Sequence, residues 1–120
     1  MLTLPASVRI YLAAAPVDLR RGFDGLSGAV RTIIGEDPLS GHLFVFLNQS
    51  RNRAKILVWE PSGYWLFYKR LEVGRFKLPT PSAPGARHMT LSAADLTLML
   101  EGIDLNGARR RKHWRPNESR

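Results

Sequence analysis

"HLFVFLNQSRNRAKILVWEPSGYWLFYKR", His42–Arg70, decides the fold of this chain. It holds three runs rich in β-branched and aromatic residues: "HLFVFLN", "RAKILVWE" and "YWLFYKR". Two short turn-rich gaps part them, so the stretch reads as an antiparallel meander. With "QSRN" as a four-residue loop, Asn48 pairs with Arg53, Phe46 with Lys55 and Phe44 with Leu57. With "PSG" as a three-residue turn, Trp59 pairs with Trp65, Leu57 with Phe67 and Lys55 with Lys69. Paired residues share a face. One face then carries Leu43, Val45, Leu47, Ala54, Ile56, Val58, Leu66 and Tyr68, an aliphatic floor suited to a helix. The other carries Phe44, Phe46, Arg53, Lys55, Leu57, Trp59, Trp65, Phe67 and Lys69, aromatic with cations toward one end. A one-residue change in either turn would send a strand's side chains to the opposite face.

Outward from the meander, Val8–Leu12 alternates apolar and polar residues, as a short strand does, and is expected to join the same sheet. Asp18 stands where a helix N-cap is expected. Phe23, Leu26, Val30, Ile33 and Ile34 follow at helical spacing. Gly22, Gly25 and Gly28 weaken that helix by about 1 kcal/mol each relative to alanine; they would allow close approach to a sheet. The helix is expected to cover the aliphatic face. "GRFKLP" reads as a short fourth strand and "PTPSAPG" as a loop. "LSAADLTLMLEGI" reads as a second helix, with Ser92 as N-cap, Asp95 three residues on and Gly102 as its stop. The expected architecture is therefore α+β: one domain over residues 1–104, with a basic, loosely held tail at 105–120.

The chain has 120 residues, 44% of them hydrophobic, and no cysteine. That length suits one domain with its own core. The missing cysteines exclude disulfides, thiolate metal sites and cysteine nucleophiles. No apolar run is long enough for a membrane helix, and Arg9 interrupts the small-residue N-terminal stretch where a signal peptide would need an unbroken apolar one. A soluble cytoplasmic protein is expected. The formal net charge is +8, with 18 Lys and Arg against 10 Asp and Glu, and such a balance points first to nucleic acid.

Arg53, Lys55, Lys69, Arg70, Arg75 and Lys77, with Arg109, Arg110, Arg111 and Lys112 of the tail, are the candidate phosphate-binding residues. Trp59, Trp65 and Phe67 form an apolar block open to two readings. Burial under the chain's own elements would make it core; exposure would make it a partner surface or a base-stacking platform. No phosphate-binding glycine loop, zinc-protease motif or nucleophile elbow occurs. His42, His88 and His113 stand far apart in sequence. Asp18 with Asp24, or Glu60 with Glu72, are the nearest to paired carboxylates, and each reads more simply as a turn or ion-pair residue. No catalytic residue, metal site or cofactor is expected.

"DLRRGFDGL" (Asp18–Leu26), "SGHLFVF" (Ser40–Phe46), "KILVWEPSGYWLFYKRLEVGRFKLP" (Lys55–Pro79) and "LEGI" (Leu100–Ile103) occur in that order. Together they resemble the small Orf2-like accessory protein, also called TnpB, of IS66-type insertion sequences. The resemblance runs from the first strand to Ile103. It implies a non-catalytic accessory role in transposition beside a separate, large transposase. The family's basic and aromatic positions match Arg20, Arg21, Phe23, Lys55, Trp59, Tyr68, Lys69, Arg70, Arg75 and Phe76. Pro61 and Ser62 depart from the Asp- or Gly-rich turn that relatives often carry there. DNA is the expected partner, the transposase of the same element a further one, and the oligomeric state is left open.

Overall fold

The computed structural model of the chain describes residues 4–79 and 83–102. Five strands form one sheet in the order β4-β3-β2-β1-β5. They are β1 (Ile10–Ala13), β2 (Leu43–Leu47), β3 (Arg53–Glu60), β4 (Gly63–Arg70) and β5 (His88–Leu91). Strands β1 and β2 run parallel; every other pair is antiparallel. A parallel pair needs a crossover, and helix α1 (Phe23–Ala29) with a π-helical turn over Val30–Ile34 supplies it. Helix α2 (Ala93–Glu101) follows β5. This is the expected α+β class, with the meander in β2–β4 and the N-terminal strand beside it.

The first hairpin has the register read from the sequence: Phe44 pairs with Leu57 and Phe46 with Lys55. Asn48 sets it. Its Oδ1 accepts from the backbone N–H of Asn52 at 3.0 Å and of Arg53 at 2.9 Å. Arg51, at φ 57°, turns the loop.

The second hairpin differs by one residue. Glu60 pairs with Gly63, so the turn is Pro61-Ser62 alone. Proline presets φ near −65° for the second position of a type I turn, whose fourth position favours glycine. Gly63 is that fourth residue and the first of β4, not a turn residue. In consequence Trp59 pairs with Tyr64, Val58 with Trp65, Ile56 with Phe67 and Ala54 with Lys69. Every β4 side chain lies on the face opposite to the expected one.

The helix also covers the other face. Leu26, Ala29, Val30 and Ile34 pack on Tyr11, Ala13, Phe44, Phe46 and Leu57, with Val17, Leu19, Tyr64 and Leu66 completing the layer. The aliphatic face holds Ile10, Leu12, Leu43, Val45, Ala54, Ile56 and Val58 under Phe76, Leu96 and Met99, with Phe67, Leu71 and Leu100 at its margin. The sheet is thus covered on both sides, α1 on one and α2 on the other. The glycines of the first helix do not mediate close approach to the sheet: a Cβ at Gly22 or Gly28 would meet nothing within 4 Å, and at Gly25 its nearest neighbours would be the Arg21 side chain one turn back, at 2.9 Å.

The helix begins at Gly22 rather than at Asp18. At its far end the Gly35 N–H bonds to the Val30 carbonyl at 2.8 Å, the longer-range closure of a π turn. Arg87, just before β5, donates to the Ile33 carbonyl at 3.1 Å and the Thr32 carbonyl at 2.5 Å. A cation on the last carbonyls of a helix offsets its dipole. The fifth strand is therefore His88–Leu91, paired with β1, and "GRFKLP" is not a strand. Phe76 of that segment is instead a core plug, fully buried, its N–H bonded to the Arg51 carbonyl at 2.7 Å. Helix α2 has the expected caps: Ser92 accepts from Asp95 N–H at 3.0 Å, Asp95 returns the bond to Ser92 N–H, and Gly102 closes the helix. The tail at 105–120 lies outside the described residues.

Candidate nucleic-acid interface

The α1 side of the sheet gathers cations at the β3–β4 end. Val17 and Leu19 are buried in the core, which turns Asp18 and Arg20 outward. Asp18 then folds onto Arg20. Its carboxylate accepts the Arg20 backbone N–H at 2.9 Å and the guanidinium at 2.7–3.1 Å. The guanidinium bond, then the backbone bond, hold the Asp18 carboxyl at about 2, below its ordinary 3.8, and raise Arg20 in turn. The next residue, Arg21, accepts the Lys55 ammonium on its carbonyl at 2.9 Å.

Lys55 also lies 4.9 Å from the centre of the Tyr68 ring, an attraction between a cation and the ring's negative face. Arg53 Nη1 donates to the Tyr68 hydroxyl at 2.7 Å. Tyr68 remains 52% exposed. Arg53 and Arg70 are direct cross-strand partners, an arrangement that like charges disfavour. Glu72 relieves it by pairing with Arg70 at 2.7 Å. Arg53, Lys55 and Arg70 thus lie around one exposed aromatic ring, and the Arg20-Arg21 segment adjoins them through the Arg21 carbonyl that holds Lys55, a surface that an added anion would stabilise.

Lys69 does not join this cluster. It points to the α2 side, where its ammonium donates to the Leu100 carbonyl at 2.7 Å and caps the end of α2. Arg75 and Lys77 are exposed on either side of the buried Phe76. Lys77 lines a hollow shared with Asp95, Leu98 and Glu101. Arg109, Arg110, Arg111 and Lys112 lie outside the described residues. Charge counting along the meander overlooks Arg20 and Arg21, which crossover packing brings beside Lys55. The alternation of Val17 and Leu19 with Asp18 and Arg20 was the available signal.

The Trp59–Trp65–Phe67 block is divided by the sheet. Trp59 sits half-buried on the α1 side, edge-on to Tyr64 with ring centres 5.0 Å apart. The Tyr64 hydroxyl bonds to Ser27 of α1 at 2.9 Å. Trp65 and Phe67 lie on the α2 side, stacked with centres 6.2 Å apart and planes 17° apart. Trp65 is 54% exposed, and its indole N–H donates to Glu60. Three of the four carboxylates considered for catalysis are engaged: Asp18 with Arg20, Glu60 with Trp65, Glu72 with Arg70; the fourth, Asp24, is exposed in the first turn of α1.

The family model described as IS66 Orf2-like protein matches residues 8–110, which span every element of this fold. The chain belongs to the IS66 Orf2-like family. It is similar to protein y4jC of Sinorhizobium fredii (strain NBRC 101917 / NGR234), 37% identical over 111 residues and 92% of each chain. It is also similar to protein y4hO of the same strain, 36% identical over 118 residues and 98% of each chain. Both are described as uncharacterized. No solved structure matches the chain. Membership in the IS66 Orf2-like family associates the chain with insertion-sequence transposition, in an accessory role. Among the described residues, no helix is long and apolar enough to cross a membrane.

Proposed function

We propose that this chain is a non-catalytic, DNA-binding accessory protein of insertion-sequence transposition. One observation carries the reading: Arg53, Lys55 and Arg70 gather around the exposed Tyr68 ring, and a third segment, Arg20-Arg21, joins them through the Arg21 carbonyl on Lys55. Such a cluster holds phosphates by charge and by directed guanidinium bonds. Helix α1 lies on the sheet as core, so the contacts are to the backbone of the duplex, which set affinity and position rather than sequence. Arg75, Lys77 and the tail's Arg109, Arg110, Arg111 and Lys112 add charge from outside the cluster. Lys69 contributes field but no contact on this face. Fluorescence anisotropy with duplex DNA from the element's ends tests the proposal. Binding that weakens steeply with salt is expected; no binding at low salt would overturn it.

A second reading, docking on the transposase of the same element, is favoured by the exposure of Trp65 beside Phe67. Co-purification of the transposase, lost with Trp65→Ala in a folded chain, would support it.

A further inference from the structure

The sheet ends in two unlike edges. The β5 edge is four residues long. The β4 edge is eight, "GYWLFYKR", and pairs with β3 through eight consecutive residue pairs with no bulge. Among the described residues, no backbone hydrogen bond from outside β3 reaches β4. Proteins blunt such edges with prolines, bulges or charges spread along the strand. Here Tyr64, Trp65, Leu66, Phe67 and Tyr68 run without interruption, and the charges stand only at the end, Lys69 and Arg70.

We propose that β4 pairs antiparallel with β4 of a second copy of this chain, centred on Phe67, to make one continuous sheet. Antiparallel edges related by a two-fold axis keep both faces of the sheet, so the axis must pass through a residue paired with itself. Centred on Phe67, Leu66 stands opposite Tyr68 of the second copy, Trp65 opposite Lys69, and Tyr64 opposite Arg70. Each cation faces an aromatic ring, which attracts it, and no like charges oppose one another. Just beyond the ladder, Ser62 stands opposite Glu72. Centring on Leu66 would set Glu60 against Glu72, and centring on Tyr68 would shorten the ladder. The charge pattern therefore selects both the second copy and the register.

The interface is small, so the dimer is weak and concentration-dependent. It brings two chains of charge +8 together, so it forms best in high salt. The chain has no cysteine, which makes a register test clean. In the Phe67-centred pair the two Phe67 Cα atoms stand about 5 Å apart, inside the window of about 4.4–6.8 Å that a disulfide spans. The two Leu66 Cα atoms are diagonal neighbours, about 7–8 Å apart or more. Sedimentation velocity of the unaltered chain in high salt, over a roughly hundredfold concentration range, is expected to show a monomer–dimer equilibrium. Under mild oxidation Phe67→Cys is expected to cross-link to itself and Leu66→Cys not to. A monomer throughout the concentration range would overturn the proposal, as would a Leu66→Cys chain that cross-links as fast as Phe67→Cys. The sedimentation arm stands even where a cysteine variant fails to fold.

Discussion

The double substitution Arg53→Gln with Lys55→Gln removes two of the five cations of the basic cluster while leaving residues of similar length. Each phosphate neutralised on duplex DNA contributes about −0.9 to the slope of log K against log salt. Five contacts therefore give a slope of about −4.5, and affinity falls about 500-fold between about 50 and 200 mM salt. Without Arg53 and Lys55 the slope drops to about −2.7 and the fall to about 40-fold. Lys69→Gln is the internal control. Lys69 neighbours both residues in the sheet, yet its ammonium sits on the opposite face, bonded to the Leu100 carbonyl. It is expected to lower affinity slightly and to leave the slope unchanged. Anisotropy titrations at four salt concentrations measure all three slopes, with circular dichroism to confirm folding. Equal slopes for the double variant and the unaltered chain would refute the placement of DNA on the α1 side. A drop of about one unit for Lys69→Gln alone would move the interface to the α2 side.

Phe76→Ala empties a fully buried site between the sheet and α2 and is expected to cost about 3–5 kcal/mol; a loss below about 1 kcal/mol in urea unfolding would show that Phe76 is not core. The Asp18 carboxyl, held at about 2 against an ordinary 3.8, favours the folded loop above the ordinary value, and that contribution is lost as pH falls through about 2. An NMR titration of Asp18 is expected to show its midpoint near the lower value, moving up in Arg20→Gln. Self-association is expected to strengthen with salt while DNA binding weakens, which sedimentation and anisotropy on the same samples would show; parallel trends would count against one of the two interfaces.

The sequence is most legible where a local bond decides the structure. Ser92, Asp95 and Gly102 cap α2 as read, because a capping box closes within one turn of chain. The first hairpin is legible for the same reason: Asn48 writes the register into its own side chain. The second hairpin misleads because Gly63 looks like a turn residue. Pro61 had already supplied the turn geometry, and glycine at the fourth position only permits its closure. The covering of the faces is harder to read, since Phe44 and Phe46 on one side and Val45 and Leu47 on the other are all buried. A sheet covered on both sides loses the apolar–polar alternation that tells inside from outside. Strand β5 escapes notice because its four residues, "HMTL", find their strand partner in β1, about eighty residues earlier in the chain.

The two-residue turn at Pro61-Ser62 also decides how the proposed surfaces relate. Because it puts Tyr68 and Arg70 on the α1 side, the basic cluster at the β4 edge is built from Arg70 and the Tyr68 ring instead of from Lys69. It puts Trp65 and Phe67 on the α2 side of that same edge. A two-fold axis at Phe67 keeps the faces, so the two basic clusters come to the same side of the continuous sheet. Strands stand about 4.8 Å apart, which sets the two β3 strands about 14 Å from one another; with the antiparallel offset along the strands, Lys55 stands about 16 Å and Arg53 about 25 Å from its counterpart. Both separations exceed the Debye length of about 8 Å at physiological salt but lie within the roughly 30 Å of 0.01 M salt. In dilute salt the clusters therefore hold the copies apart. A duplex laid across both neutralises them together and removes that repulsion. DNA and the second copy then favour one another by the same free energy, since coupling between two binding events is reciprocal. A three-residue turn would have left Lys69 beside Lys55 and Trp65 beside Trp59, with the cation and aromatic patches merged on one face and no reason for such coupling.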